Sequence, residues 1–156
     1  FYNSVHHVAK KDYSPEQLAA WAKPQRNTTR WDEGLLKQLV WVAEMDGVIV
    51  GFTSLHADSG YLDFMYTHHQ YQGQGIATTL LATLEAEAQK LNITELTTDS
   101  SLTALPFFLA NGFQLVTQNI KTVDGIEFFY AEWHTTKWFG YVGCLRSLER
   151  TNWVEK

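Results

Sequence analysis

The chain has little of what staples small secreted domains: its 156 residues include one cysteine, Cys144, and three prolines. An intrachain disulfide is excluded, and a reducing compartment fits best. Positive charge is scarce as well. Twelve Lys and Arg face seventeen Asp and Glu, a formal net charge of −5. A nucleic-acid binder needs a basic face to displace counterions from phosphates, so no nucleic-acid partner is expected. No apolar run approaches the length that spans a bilayer, and no signal-peptide pattern opens the chain. The expected location is cytoplasmic, with no membrane partner. No His, Cys or Asp spacing resembles a metal site, and no Gly-x-Ser-x-Gly nucleophile elbow occurs. The chain starts at Phe1 rather than Met, which leads us to expect that an N-terminal piece is missing.

Apolar residues make up 45% and charged residues 19%, the balance of one globular domain with one core. Residues 1–13 read as a helix already under way. Ser14-Pro15-Glu16-Gln17 has the form of a helix start, with Ser as N-cap, Pro in the first turn and Gln placed to close a capping box. That helix ends before Pro24, and a short one follows over residues 31–39. Residues 40–45 and 48–55 flank Asp46-Gly47 as a hairpin, and Ser59-Gly60 turns the chain into a strand over 61–67. Ile76, Leu80, Leu81, Leu84, Ala88 and Leu91 recur at helical spacing. A strand over 95–99, a short helix over 104–110 stopped by Asn111-Gly112, and a hairpin of 114–123 with 126–133 complete the order. The fold class is α+β, with a central mixed, mostly antiparallel sheet flanked by helices.

Between a strand and the strongest helix lies Gln70-Tyr71-Gln72-Gly73-Gln74-Gly75-Ile76-Ala77. Backbone N–H groups at a helix start lack partners within the helix and suit anionic oxygens, and glycines let a diphosphate approach the main chain. A simple tight turn is the plainer account of the same residues. A Rossmann loop would need a small residue where Thr78 stands and a parallel strand context, and a Walker loop would need a lysine. Both fail.

Gln70-x-x-Gly73-x-Gly75 resembles the Arg/Gln-x-x-Gly-x-Gly/Ala signature of the GNAT N-acetyltransferase superfamily. A second block, Ser101-Leu102-Thr103-Ala104-Leu105-Pro106-Phe107-Phe108 with Asn111-Gly112-Phe113, resembles the family's short helix and Gly-Phe step. The resemblance covers roughly residues 40–133. It implies acetyl-CoA as cosubstrate, with the diphosphate surrounded by Gln70, Gln72, Gly73, Gln74, Gly75, Ile76 and Ala77. It further implies that the strand over 61–67 splays from the strand over 95–99. The pantetheine arm would lie in that gap against Met65, Tyr66 and Thr67, flanked by Ser101 and Phe108. The chain departs from the family in three places. No strand precedes Phe1; Phe108 stands where many members carry the Tyr that reprotonates the CoA thiolate; and Ser101 stands where many carry Asn.

Acetyl transfer to an amine by direct attack requires a base for the ammonium and an acid for the thiolate. Alternation in the strand over 61–67 puts Asp63 on one face with Tyr61, Met65 and Thr67, where partial desolvation would suit it to accept a proton. A structural role, satisfying a neighbouring Arg or backbone amide, explains Asp63 equally well. His56 and His68 are rival bases. His68 and His69 point apart in an extended chain, a poor metal pair. Tyr130 is the first choice of acid, with Tyr66 and Tyr71 as alternatives. Trp21 and Trp31 either line the acceptor pocket or pack in the core, while Trp41 reads as core. Residues 1–137 read as one domain. Residues 138–156 read as an extension, either a terminal helix or a subunit contact, with a homodimer the preferred assembly; a sheet edge lacking a first strand would also need cover. The function expected is transfer of an acetyl group from acetyl-CoA to a primary amine of a small molecule or peptide. The alternative is a silent acyl-CoA sensor.

Overall fold

The computed structural model describes residues 1–24, 28–135 and 151–155. The elements are α1 (Tyr2–Val8), α2 (Pro15–Trp21), α3 (Thr28–Leu35), β1 (Leu39–Met45), β2 (Val48–His56), β3 (Tyr61–Thr67), α4 (Ile76–Lys90), β4 (Leu96–Ser101), α5 (Leu105–Ala110), β5 (Gln114–Val123), β6 (Ile126–Thr135) and β7 (Thr151–Glu155). The strands form one sheet in the order β5-β6-β4-β3-β2-β1-β7. Every neighbouring pair is antiparallel except β3 with β4.

Local chemistry explains most of these boundaries. Ser14 Oγ accepts from the Gln17 N–H, and the Gln17 side chain accepts from the Ser14 N–H, so both halves of the capping box form. Asp46-Gly47 and Asp124-Gly125 each take positive φ at both positions, the backbone of a tight hairpin turn. The expected helix over residues 1–13 is shorter, because the chain tightens into a 3-10 turn at Ala9–Lys11. Tyr13 leaves that turn to donate its hydroxyl to the Phe129 carbonyl across the sheet. The helix expected over 31–39 lies earlier, as α3, since Leu39 is already paired with Leu55 in the β1–β2 ladder.

Two clusters sandwich the sheet. On one face α4 buries Ile76, Leu80, Leu81, Leu84 and Ala88 against Leu55, Leu62, Leu96 and Trp133, each fully buried Leu contributing roughly 1.5–3 kcal/mol. On the other, α1 and α2 bury Val5, Ala9, Leu18 and Tyr13 against Phe128. Trp41 belongs to the first cluster, as its strand position implied. Of the C-terminal extension, 138–150 and residue 156 lie outside the described residues. Where it is described it is a strand rather than a helix: β7 pairs antiparallel with β1, Trp41 opposite Glu155 and Met45 opposite Thr151. It thereby supplies the cover that the β1 edge requires.

Candidate active site

The site begins where β3 parts from β4. Their parallel ladder holds only Tyr61 with Thr97 and Leu62 with Thr98; from Asp63 onward β3 has no ladder partner on that side. On its other side β3 carries a bulge: Leu62 pairs with Leu55 and Phe64 with Ser54, so Asp63 is the extra residue. Three hydroxyls tie down the backbone that the two irregularities loosen. Ser54 Oγ accepts from the Phe64 N–H, Thr53 Oγ1 donates to the Phe64 carbonyl, and Thr98 Oγ1 donates to the Leu62 carbonyl. Thr53, Ser54 and Thr98 are all buried. Sequence reasoning missed them, because a buried Thr or Ser in a strand carries no pattern of its own.

The bulge corrects the alternation expected for β3. Met65 packs with the α4 cluster, and Thr67 pairs with Gly51, whose missing Cβ would meet Ile76 and Leu80. Asp63 therefore does not share a face with Met65 and Thr67. It stays with Tyr61, on the side where Phe64 and Tyr66 meet Phe1, Phe52 and Trp31. Among the described residues its carboxylate meets neither an Arg nor a backbone amide. Gln38 Nε2 donates to Asp63 Oδ2 at 2.8 Å, and His56 Nε2 lies 3.6 Å from the same oxygen. Gln38, from the turn before β1, is a second residue that the sequence did not single out.

A cavity of about 330 Å3 opens at the parting, bordered by Tyr61, Asp63, Met65 and Tyr66 of β3, Asp99 and Ser101 of β4, Phe108 of α5 and Tyr130 of β6. Asp63 and Tyr130, from strands that do not touch, thus border one space. Tyr13 and Trp21 line it from the helices, which separates Trp21 from Trp31, whose ring packs on Phe1 and Phe64. The tyrosines differ in how their hydroxyls are occupied. Tyr13 is held by the Leu102 N–H and the Phe129 carbonyl, and burial pushes its phenol up. Burial also raises Tyr66, eased by a hydrogen bond with Trp21. Tyr61 is raised by burial, then by the nearby charges of Asp99 and Asp63. Tyr130 has the Lys121 ammonium 5.3 Å from its ring centre. Phe108 is packed against Phe113 and Trp133 and brings no hydroxyl.

Further along β3 a second cavity, about 200 Å3, is lined by Thr67, Tyr71, Gln72, Gly73, Gly75, Ile76, Ala77 and Phe107. Gly73 and Gly75 have φ of +73° and +79°, and a Cβ built on either meets nothing within 4 Å. The backbone conformation calls for glycine, and the space beside it is open. The first backbone bond of α4 runs from the Thr79 N–H to the Gly75 carbonyl, so the earlier N–H groups lie outside the helical ladder, as an anion site requires. Gln72 braces the loop by donating to Thr67 Oγ1 at 2.7 Å. Gln70 and Gln74 are exposed and border neither cavity.

His68 caps the turn before the loop, its Nδ1 accepting from the Gln70 N–H, and it lies outside the larger cavity. His68 and His69 do not point apart. The chain is a 3-10 turn at His69–Tyr71 rather than extended, and their rings stack at 4.5 Å, with His7 stacked on His69 at 4.3 Å. Burial, then His7 and His68, lowers the pKa of His69. Among the described residues, no group of three His, Cys, Asp or Glu could hold a metal ion, and no helix is long and apolar enough to cross a membrane.

Such a parted mixed sheet, with a glycine loop opening a helix at one end of the parting, is what the resemblance to the GNAT superfamily implied. Residues 9–134 match the model of the acetyltransferase (GNAT) domain, and the chain belongs to that family. The uncharacterized N-acetyltransferase YafP of Escherichia coli K12 is 40% identical over 128 residues, 82% of this chain and 79% of that one. A GCN5-related N-acetyltransferase structure from Rhodopseudomonas palustris is 31% identical, with a TM-score of 0.82 over 87% of this chain and 84% of its own. The PaiA N-acetyltransferase of Thermoplasma acidophilum, solved with coenzyme A, shares the fold at 20% identity and a TM-score of 0.64, covering 86% and 87%.

Proposed function

We propose that this protein transfers the acetyl group of acetyl-CoA to a primary amine by direct attack. The observation that carries the reading is that neighbouring residues of β3 and of α5 line the two cavities in turn. β3 lines the larger through Met65 and Tyr66 and the smaller through Thr67, while α5 lines them through Phe108 and Phe107 in turn. That track suits a long cosubstrate, with its diphosphate on Gln72, Gly73, Gly75, Ile76 and Ala77 and its arm past Met65, Tyr66, Thr67, Ser101 and Phe108. Gln70 and Gln74 take the outer side of the same diphosphate. Coenzyme A in structures of the same fold supports the choice of cosubstrate.

In this reading Asp63 takes a proton from the acceptor ammonium, steadied by Gln38 and His56. The free nitrogen attacks the thioester carbon, the C–N bond forms and the C–S bond breaks. Tyr130 gives its proton to the departing thiolate, in the absence of a hydroxyl at Phe108, and the second proton that the nitrogen sheds on becoming an amide passes through solvent to restore the phenol. The reaction takes place in the cytoplasm, and the protein works as a homodimer. Phe108 also motivates a second reading, a binding protein that senses acyl-CoA without turning it over.

Thiol release from acetyl-CoA over a panel of amines, with CoA binding followed by thermal shift, separates the two. Stabilisation by CoA together with amine-dependent thiol release is the expected result. Stabilisation without release from any amine would favour the sensor, and no stabilisation would remove both readings.

A further inference from the structure

The larger cavity carries more information than an amine acceptor in general requires. Its volume of about 330 Å3, shared in the reading above with the arm of the cosubstrate, lies at the small end of the roughly 300–1,000 Å3 typical of small-molecule sites, which favours a compact acceptor over an oligosaccharide or a folded peptide. Its polar groups are segregated. Asp99 pairs directly with Glu132 across the β4–β6 ladder, so two carboxylates share one face with Asp63 and Tyr61 close by. Like charges directly opposite each other cost stability unless a cation joins them. Among the described residues neither Asp99 nor Glu132 forms an ion pair, and Asp63 pairs with His56 and accepts from Gln38.

Among the described residues the one basic side chain of the lining is Lys121, whose backbone lies toward the other end. It pairs in register with Phe128, while Asp99 pairs with Glu132, four residues further along β6. At about 3.3 Å per residue the two backbone positions are roughly 13 Å apart along the strand, and the Lys121 ammonium reaches back to lie 5.3 Å from the Tyr130 ring centre. Between them the walls are aromatic: Tyr130 from β6, Phe128 beneath, Tyr13 and Trp21 from the helical side, with Tyr13 and Trp21 edge-to-face at 5.3 Å.

We propose that the acceptor is a small arylalkylamine without an α-carboxylate, its ammonium held by Asp63 and Asp99 and its ring against Trp21, Tyr13 and Tyr130. Ring faces and carboxylates both attract an ammonium, and the rings also bury its apolar body. An α-amino acid places its carboxylate next to the ammonium, where Asp63 and Asp99 repel it. A polyamine satisfies the acidic end and leaves the aromatic walls uncovered. The inference rests on the transferase reading above.

The test is steady-state thiol release with 2-phenylethylamine, phenylalanine and spermidine, on the wild type and on Asp99→Asn, with CoA thermal shift to verify that the variant is folded. The expected kcat/KM for 2-phenylethylamine exceeds that for each of the other two by about tenfold or more. Asp99→Asn is expected to raise its KM roughly fivefold while changing kcat less, since an exposed charge contributes modestly. It should also narrow the gap to phenylalanine. Preference for spermidine, or equal use of phenylalanine, would overturn this inference and leave the transferase standing. A KM unmoved in a folded Asp99→Asn would remove the acidic anchor. Silence with every amine would remove the transferase reading and this inference together.

Discussion

The two ends of the β3 track are built from different material. At the loop end the recognising groups are backbone: N–H groups at the start of α4 and two glycines at positive φ, all within residues 67–77. At the proposed acceptor end they are side chains, drawn from α2, β3, β4, α5, β5 and β6. A site made of main chain depends on a short continuous sequence and tolerates little change within it. A site made of side chains from six elements can be rebuilt one position at a time while the fold stays.

The comparison can be broken from either end, and the largest effect is expected at the acceptor end. Asp63→Asn keeps the shape and removes the base, so kcat should fall by about 10²–10⁴ while CoA still stabilises the protein. An unchanged kcat would leave Asp63 a structural residue and move the base to His56. At the loop end, changing Gly73 and Gly75 together to Val forces β-branched residues to positive φ and fills the open space beside them. Calorimetric titration should then give CoA binding weaker by roughly 100-fold, some 2.7 kcal/mol; normal binding would remove the loop assignment.

A smaller effect concerns the hinge between the two ends. Thr98→Val strips the hydroxyl that satisfies the Leu62 carbonyl at the parting, where an orphaned buried group costs about 1–3 kcal/mol. Denaturant unfolding should register that loss, and a neutral result would mean that water or a backbone shift replaces the hydroxyl. The smallest effect is a pH dependence. The pKa of His69 is lowered in the folded protein, by burial first and then by His7 and His68. As pH falls below the ordinary histidine value of about 6.5, the unfolded chain gains its proton first and stability drops. Above that value His69 makes no contribution to the slope. His69→Gln should flatten the wild-type decline in melting temperature between neutral pH and pH 5; an identical slope would exclude the stack as its source.

The loop end was legible in the sequence because its grammar is local. Gln70-x-x-Gly73-x-Gly75 before an amphipathic helix carries the turn and with it the proposed anion site, and the hairpins at Asp46-Gly47 and Asp124-Gly125 are equally self-contained. The acceptor end was legible only in part. Asp63 and Tyr130 do border one cavity, yet the bulge at Asp63 reversed the facing of Met65 and Thr67, and nothing within residues 61–67 announces it. The bulge is held by Thr53 and Ser54 from the next strand, a non-local cause. Asp99 and Glu132 face each other only through the β4–β6 register, 33 residues apart by their numbers. His68 and His69 were misjudged for the opposite reason, since a local 3-10 turn replaced the extended chain assumed there.

The most direct test is to incubate catalytic amounts of the protein with acetyl-CoA and 2-phenylethylamine and weigh the amine by mass spectrometry. The account expects an acetylated amine at many turnovers per protein, lost in Asp63→Asn although that variant still binds CoA. An amine left unmodified by this and every other primary amine supplied, beside a protein that binds CoA tightly, would contradict it.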